Sequence, residues 1–251
     1  MNQKLCYSIL DEGCRKAVAL ISKPDREIPV IRGIALVLFV TFFYISCGTT
    51  KRETEEPAKT PPTEMPEPDL RPVIVAFGDS LTAGAGVQPS MNYPAKLQAK
   101  IDGSGHRYRV VNAGVSGDTS SQGLNRVQSV ISLHPAIVIV EFGANDGLRG
   151  IPPDATTRNL LAIIGRLQSS GAKVILAGML VPPNYGPNYA NSFRNIFPSV
   201  AKKTGAVLLP FFLAGVGGHP ELNQEDGIHP TAEGYDIVVK NVWKILKPLL
   251  D

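Results

Sequence analysis

Five short apolar runs, the first three closed by glycine or small polar residues and all separated by helix-like stretches, constrain this chain more than any other feature. Residues 73–77 (VIVAF) run into Gly78-Asp79-Ser80, residues 108–111 into Asn112-Ala113-Gly114, and residues 136–142 into Gly143-Ala144-Asn145-Asp146. Residues 174–179 form a fourth run and residues 206–210 a weaker fifth. Runs that are apolar on both faces and rich in β-branched residues suit strands buried in a parallel sheet. Helical stretches are expected near residues 93–101, 121–132, 154–169, 190–203 and 231–249. Asp154 reads as an N-cap and Gly171 as a helix stop. Trp243, set among apolar residues of the last helix, reads as core. The alternation predicts an α/β domain over residues 73–251, built as a three-layer α/β/α sandwich on a five-stranded parallel sheet. No internal repeat is visible.

The first 72 residues do not share this pattern. Residues 34–45 (IALVLFVTFFYI) are apolar apart from Thr41, with Arg32 before them and Ser46-Cys47-Gly48 after. Such a run is shorter than the roughly 20 residues that span a bilayer and suits the core of a secretory signal. The small residue before Cys47 resembles a bacterial lipoprotein signal, although Tyr44 stands where Leu is usual. That resemblance implies lipidation of Cys47, which would make residues 1–47 a leader and place the protein in the cell envelope, attached to the membrane. An uncleaved single-span anchor and ordinary secretion are the alternatives. The leading segment is long and carries both charge signs, whereas a translation start at Val30 would give a leader of conventional length. Residues 48–72 hold six prolines and hardly any large apolar residue, a composition that suits an extended, disordered tether.

Composition excludes several function classes. A net charge of +3 without a long Lys/Arg run leaves no dense basic face for nucleic acid. All three cysteines (Cys6, Cys14 and Cys47) lie in the first fifth of the chain, so the α/β domain has no disulfide and no thiol metal site.

Ligands of open parallel sheets bind beyond the carboxyl ends of the strands, which directs attention to the residues after each apolar run. Ser80, beside glycines at a strand end, can be held on a tight turn with its hydroxyl exposed, or it can cap the next helix. A serine nucleophile needs a base within hydrogen-bond reach. Of the four histidines, only His229 has a carboxylate three residues before it, in Asp226-Gly-Ile-His229. That spacing can let Asp226 orient the imidazole, or it can form a turn that caps the last helix. Asp79, Asp118 and Asp146 could form an acidic metal cluster but are better explained as loop braces, since no second histidine is placed to join them.

In order along the chain, FGDSLTAG, NAGVSGDT, FGANDGLRG and DGIHPTAEGY resemble the four signature blocks of the SGNH (GDSL) hydrolases. More narrowly, residues 143–150, 181–186 and 208–212 resemble the bacterial thioesterase, lysophospholipase and arylesterase branch. The resemblance covers residues 73–251 and implies the family's flavodoxin-like fold. It also implies that Ser80 is the nucleophile, His229 the base and Asp226 the residue orienting that base. The implied oxyanion hole comprises the backbone N–H groups of Ser80 and Gly117 and the side-chain amide of Asn145. Asp79, Tyr185 and Tyr189 are the candidate substrate-pocket residues, the two tyrosines lying in PPNYGPNY. A proline-braced surface loop is the alternative for that segment. The expected activity is hydrolysis of short or medium acyl or aryl esters, thioesters or lysophospholipids by a monomer that needs no cofactor or metal. A carbohydrate O-deacetylase on the same fold and a non-catalytic surface-binding lipoprotein are the alternatives.

Overall fold

The computed structural model describes residues 69–250. The leader, Cys47 and the tether up to residue 68 lie outside the described residues. The strands are β1 (Val73–Gly78), β2 (Arg109–Gly114), β3 (Pro135–Glu141), β4 (Lys173–Ala177) and β5 (Val207–Leu209). They form one parallel sheet in the order β2-β1-β3-β4-β5. β1 and β3 lie inside the sheet, and Ile74, Val75, Ala76, Phe77, Val138, Ile139 and Val140 have no exposed surface. Each large apolar side chain buried in this way contributes about 1.5–3 kcal/mol. β2 is an edge strand and mostly half-buried, which explains its weaker apolar pattern.

The helices are α1 (Ser80–Ala83), α2 (Tyr93–Asp102), α3 (Ser120–Ile131), α4 (Ala144–Leu148), α5 (Pro153–Ser169), α6 (Pro187–Arg194), α7 (Ile196–Thr204) and α8 (Ala232–Leu246). On one face of the sheet α3 packs against α5 and α5 against α7, while α2 packs against α8. This is the expected three-layer sandwich. α1 and α4 were too short to leave a periodic signal. The stretch expected as one helix over residues 190–203 divides at Asn195 into α6 and α7. Pro198 explains the division, because it has no N–H to give to the carbonyl four residues earlier. Asp154 is not a cap: Pro152 holds that position, and Asp154 lies in the first turn, where its charge suits the helix dipole. Trp243 is not core. It is half-buried, with Lys100 Nζ 5.8 Å from its ring centroid.

Topology places the site. β2 leaves β1 on one side and β3 returns on the other, so a crevice opens between the ends of β1 and β3. The register aligns those ends, with Gly78 opposite both Gly114 and Glu141.

Candidate active site

Only Asp79 separates Ser80 from the end of β1, and Ser80 is the first residue of α1. Its helix is capped by Asp79, whose Oδ1 accepts the Leu81 N–H at 3.0 Å. Asp79 therefore does the capping that Ser80 could have done, and the Ser80 hydroxyl is left available. The end of β2 lies hard against α1. A Cβ on Gly114 would stand 2.2 Å from Ala83 N, so a side chain there would displace the turn that carries Ser80.

The Ser80 hydroxyl meets the His229 loop. Ser80 Oγ is 2.8 Å from His229 Nε2, and His229 Nδ1 is 2.6 Å from Asp226 Oδ2. Asp226 Oδ1 also accepts the N–H groups of Ile228 and His229, each at 3.0 Å. Gly227, at φ 71°, supplies the left-handed residue that this tight turn requires. The partial burial of Asp226 pushes its carboxyl up. The hydrogen bonds from His229 and the two backbone N–H groups outweigh this and hold it at about 2. Asp226 is thus an acceptor for the imidazole throughout the neutral range. His106, His134 and His219 make no hydrogen bond to Ser80.

A residue that sequence reasoning missed ties the histidine loop to the serine turn. Gln224 Nε2 donates to Ala85 O at 2.8 Å and to Pro230 O at 2.9 Å, while Gln224 N–H donates to His229 O at 2.8 Å. The signal was Gly86, where an added Cβ would fall 1.9 Å from Gln224 Oε1. A side chain there would push the two loops apart.

Asn145 lies in α4, beyond the end of β3. Its Nδ2 donates to Asp118 O at 3.0 Å and to Asp79 Oδ2 at 3.2 Å, which sets the plane of the amide. Gly117 has φ 84°, and its carbonyl accepts from Arg149 Nη2 at 2.8 Å. Asp118 pairs with Arg126 at 2.6 Å, and Arg126 also donates to the carbonyls of Ala113 and Gly78 at the ends of β2 and β1. Asp146 accepts from Ser120 N–H at 2.8 Å and from Thr156 Oγ1 at 2.9 Å. The aspartates after the strands are therefore occupied in bracing the loops.

Ser80, Asn145 and His229 line a cleft of about 460 Å³. Its other walls are largely apolar, with Leu148, Val181, Phe211, Leu213 and Ile228 among them. Three expected pocket residues do not line it. Asp79 is fully buried beneath Ser80, where its carboxylate serves as cap and amide acceptor. Tyr185 donates its hydroxyl to Leu148 O at 2.7 Å, and Tyr189 donates to Ile151 O at 2.9 Å. Both tyrosines brace the segment after β3 through its backbone carbonyls. A phenol can serve as either wall or brace, and the sequence does not reveal where the hydroxyl finds its acceptor.

Comparison with known proteins agrees with this fold. A model of the GDSL-like Lipase/Acylhydrolase family matches residues 76–237. The chain is 43% identical to Esterase TesA of Pseudomonas aeruginosa over 178 residues, which cover 70% of this chain and 89% of that protein. It is 38% identical to Thioesterase 1/protease 1/lysophospholipase L1 of Escherichia coli K12, covering 71% of this chain and 85% of that protein. The crystal structure of TesA superposes with a TM-score of 0.69, covering 70% of this chain and 99% of that one. The psychrotrophic esterase EstA from Pseudoalteromonas, solved with monoethylphosphonate, superposes with a TM-score of 0.68 at 33% identity, covering 71% and 98%.

Proposed function

This chain belongs to the GDSL-like lipase/acylhydrolase family and is an ester hydrolase, and we propose that Ser80, His229 and Asp226 carry its chemistry. The observation that carries this reading is the unbroken hydrogen-bonded line from Ser80 Oγ through the imidazole to Asp226, at 2.8 and 2.6 Å. Ser80 Oγ attacks the carbonyl carbon of an ester or thioester while its proton passes to His229 Nε2. The imidazolium then gives that proton to the leaving oxygen or sulfur as the acyl bond breaks. Water repeats the sequence on the acyl-serine, and the acid is released with Ser80 restored. Asp226 orients the ring and stabilises its charge between the two transfers.

The carbonyl oxygen gains negative charge in each transition state, and preplaced donors stabilise it there. The N–H groups of Ser80 and Gly117 and the Asn145 amide are the donors we assign, the amide sharing with the oxyanion the hydrogen it gives to Asp79 Oδ2 at 3.2 Å, the longer of its two bonds. Ser80 N–H lies at a helix start, where no intrahelical acceptor exists. Asn145→Ala is expected to lower kcat by about a hundredfold to a thousandfold, with KM changed far less. Steady-state kinetics on a p-nitrophenyl ester would check this, and an unchanged kcat would remove Asn145 from the hole.

The apolar cleft favours acyl or aryl groups over a hydrated sugar, so we read the substrates as short to medium acyl or aryl esters, thioesters and lysophospholipids. The names of the relatives, which include esterase, thioesterase and lysophospholipase, support that range. We further propose that residues 1–47 direct the protein to the cell envelope, with Cys47 lipidated and residues 48–72 as the tether. The test of the function is fluorophosphonate labelling, followed by a chain-length series of p-nitrophenyl esters run beside acyl-CoA and lysophospholipid. Labelling at Ser80 with turnover of at least one series is expected. Absence of label and of turnover would overturn the reading.

A further inference from the structure

The last residue of β3 is a glutamate in the middle of the core. Glu141 has no exposed surface, and the hydrolytic steps above do not use it. Its Oε2 accepts from Thr82 Oγ1 at 2.7 Å and lies 3.4 Å from the Asp79 N–H, while its Oε1 has no partner among the described residues. The carboxyl occupies space that Gly78 leaves open: a Cβ there would stand 2.5 Å from Oε2. Glu141 thus reaches beneath the turn that carries Ser80 and packs beside the second buried acid, Asp79. Asp79 in turn caps α1 and holds the Asn145 amide.

We propose that Glu141 is a positioning residue of this active site, a neutral acid packed under the Ser80 turn that holds Asp79 as the single carboxylate against Asn145. The proposal rests on the ester-hydrolase reading of Ser80 and deepens it. Two adjacent carboxyl groups in a buried site cannot both ionise without cost, so the pair keeps one proton. Asp79 accepts two N–H donors and suits the charged role. Glu141 accepts from a hydroxyl and a distant N–H and suits the neutral one. Burial, and then the charge of Asp79, push Glu141 well above the ordinary carboxylate range. Losing its proton would put a second negative charge under the place where the oxyanion forms, and the rate would fall.

The other ionisable groups around the pair are accounted for. Tyr93 of α2 and Tyr235 of α8 face it, and burial raises both phenols above their ordinary range. The charge of His229, when protonated, favours the ionised form of Asp79. Arg126 of α3 donates to the Gly78 carbonyl. An alkaline fall in kcat below the tyrosine range therefore belongs to the carboxyl pair.

The test is the pH profile of kcat for the full chain and its Glu141 variants on a p-nitrophenyl ester, with thermal melts to verify folding. The wild-type rate is expected to fall on the alkaline side. Glu141→Ala should lower kcat about a hundredfold at neutral pH with little change in KM, and Glu141→Gln should recover all but about a tenfold deficit. The Gln variant cannot ionise, so its alkaline fall should disappear. Thr82→Val removes a hydrogen bond that favours the ionised form and should move the fall to higher pH. A Gln variant with the wild-type alkaline limb, or a wild-type enzyme without one, overturns the proposal. So does full kcat in Glu141→Ala. If the Ala variant does not fold, the Gln profile decides alone. Fluorophosphonate labelling separates the two levels of argument: labelled Ser80 with unaffected variants removes the role of Glu141 alone, while unlabelled wild-type Ser80 removes both.

Discussion

Ser80→Ala and His229→Ala should each lower kcat by about a millionfold, and the double variant should be hardly worse than either single one. The reason is that the two side chains act as one device. A serine hydroxyl without a base is a poor nucleophile, and an imidazole with no hydroxyl to activate has no part in acyl transfer. The 2.8 Å separation of Ser80 Oγ from His229 Nε2 already places the proton on a short path to the base. Residual turnover of about a thousandfold over water should persist, supplied by substrate binding and the oxyanion donors. Melting temperatures should change little, because both side chains are only half-buried in a cleft. The measurement is kcat and kcat/KM on one p-nitrophenyl ester for both single variants and the double. Losses that multiply in the double variant would mean that the residues act separately, and the relay would be wrong.

Asp226→Asn is the second large effect, expected at about ten-thousandfold in kcat. Asn preserves the shape of Asp226 but presents an N–H₂ group where the imidazole N–H needs an acceptor, so the ring is held in the wrong tautomer. The pH behaviour follows from the lowered pKa. The folded value of about 2 lies below the ordinary 3.8, so the stability this carboxylate contributes is present above about 3.8 and is lost as pH falls through about 2. Half of the side chain faces solvent, which screens that contribution and keeps it small. The wild-type enzyme should therefore keep its Asp226–His229 pairing throughout mildly acidic conditions, and Asp226→Asn should lose rate without a matching loss of melting temperature. Kinetics and melts at neutral pH would check both. A variant within tenfold of wild-type kcat would leave Asp226 as a mere cap of its own turn.

Much of the site was legible in one dimension because its parts sit at strand ends. Ser80 and Asn145 each follow an apolar run, and a parallel sheet collects such positions on one edge. The three-residue spacing of Asp226 and His229 is local and can be read directly. Gln224, Arg126 and Glu141 were not legible in this way. Each acts through partners far along the chain, Gln224 on Ala85, Arg126 on Gly78 and Glu141 on Thr82. A glutamate inside an apolar strand run reads as an imperfection of the pattern until Gly78 and Thr82 are seen to make room for it. Tyr185 and Tyr189 failed in the opposite direction, since proximity to the right loop said nothing of which side of it they occupy.

The alternation of apolar runs and helical stretches in residues 73–251 by itself determined the strands and their parallel arrangement, because burial of β-branched runs on both faces leaves few other packings, and the binding of ligands beyond the carboxyl ends of such strands then pointed to the edge on which chemistry collects. It determined the nucleophile and base candidates through residue type and local spacing. The strand order was decided by the tertiary structure, and with it the meeting of the β1 and β3 ends. So were the walls of the cleft and the burial of Asp79 beside Glu141. Those features depend on hydrogen bonds and contacts between residues some 60 to 150 positions apart. Such contacts have no period in the sequence, and only the closed packing of three layers brings their partners within reach.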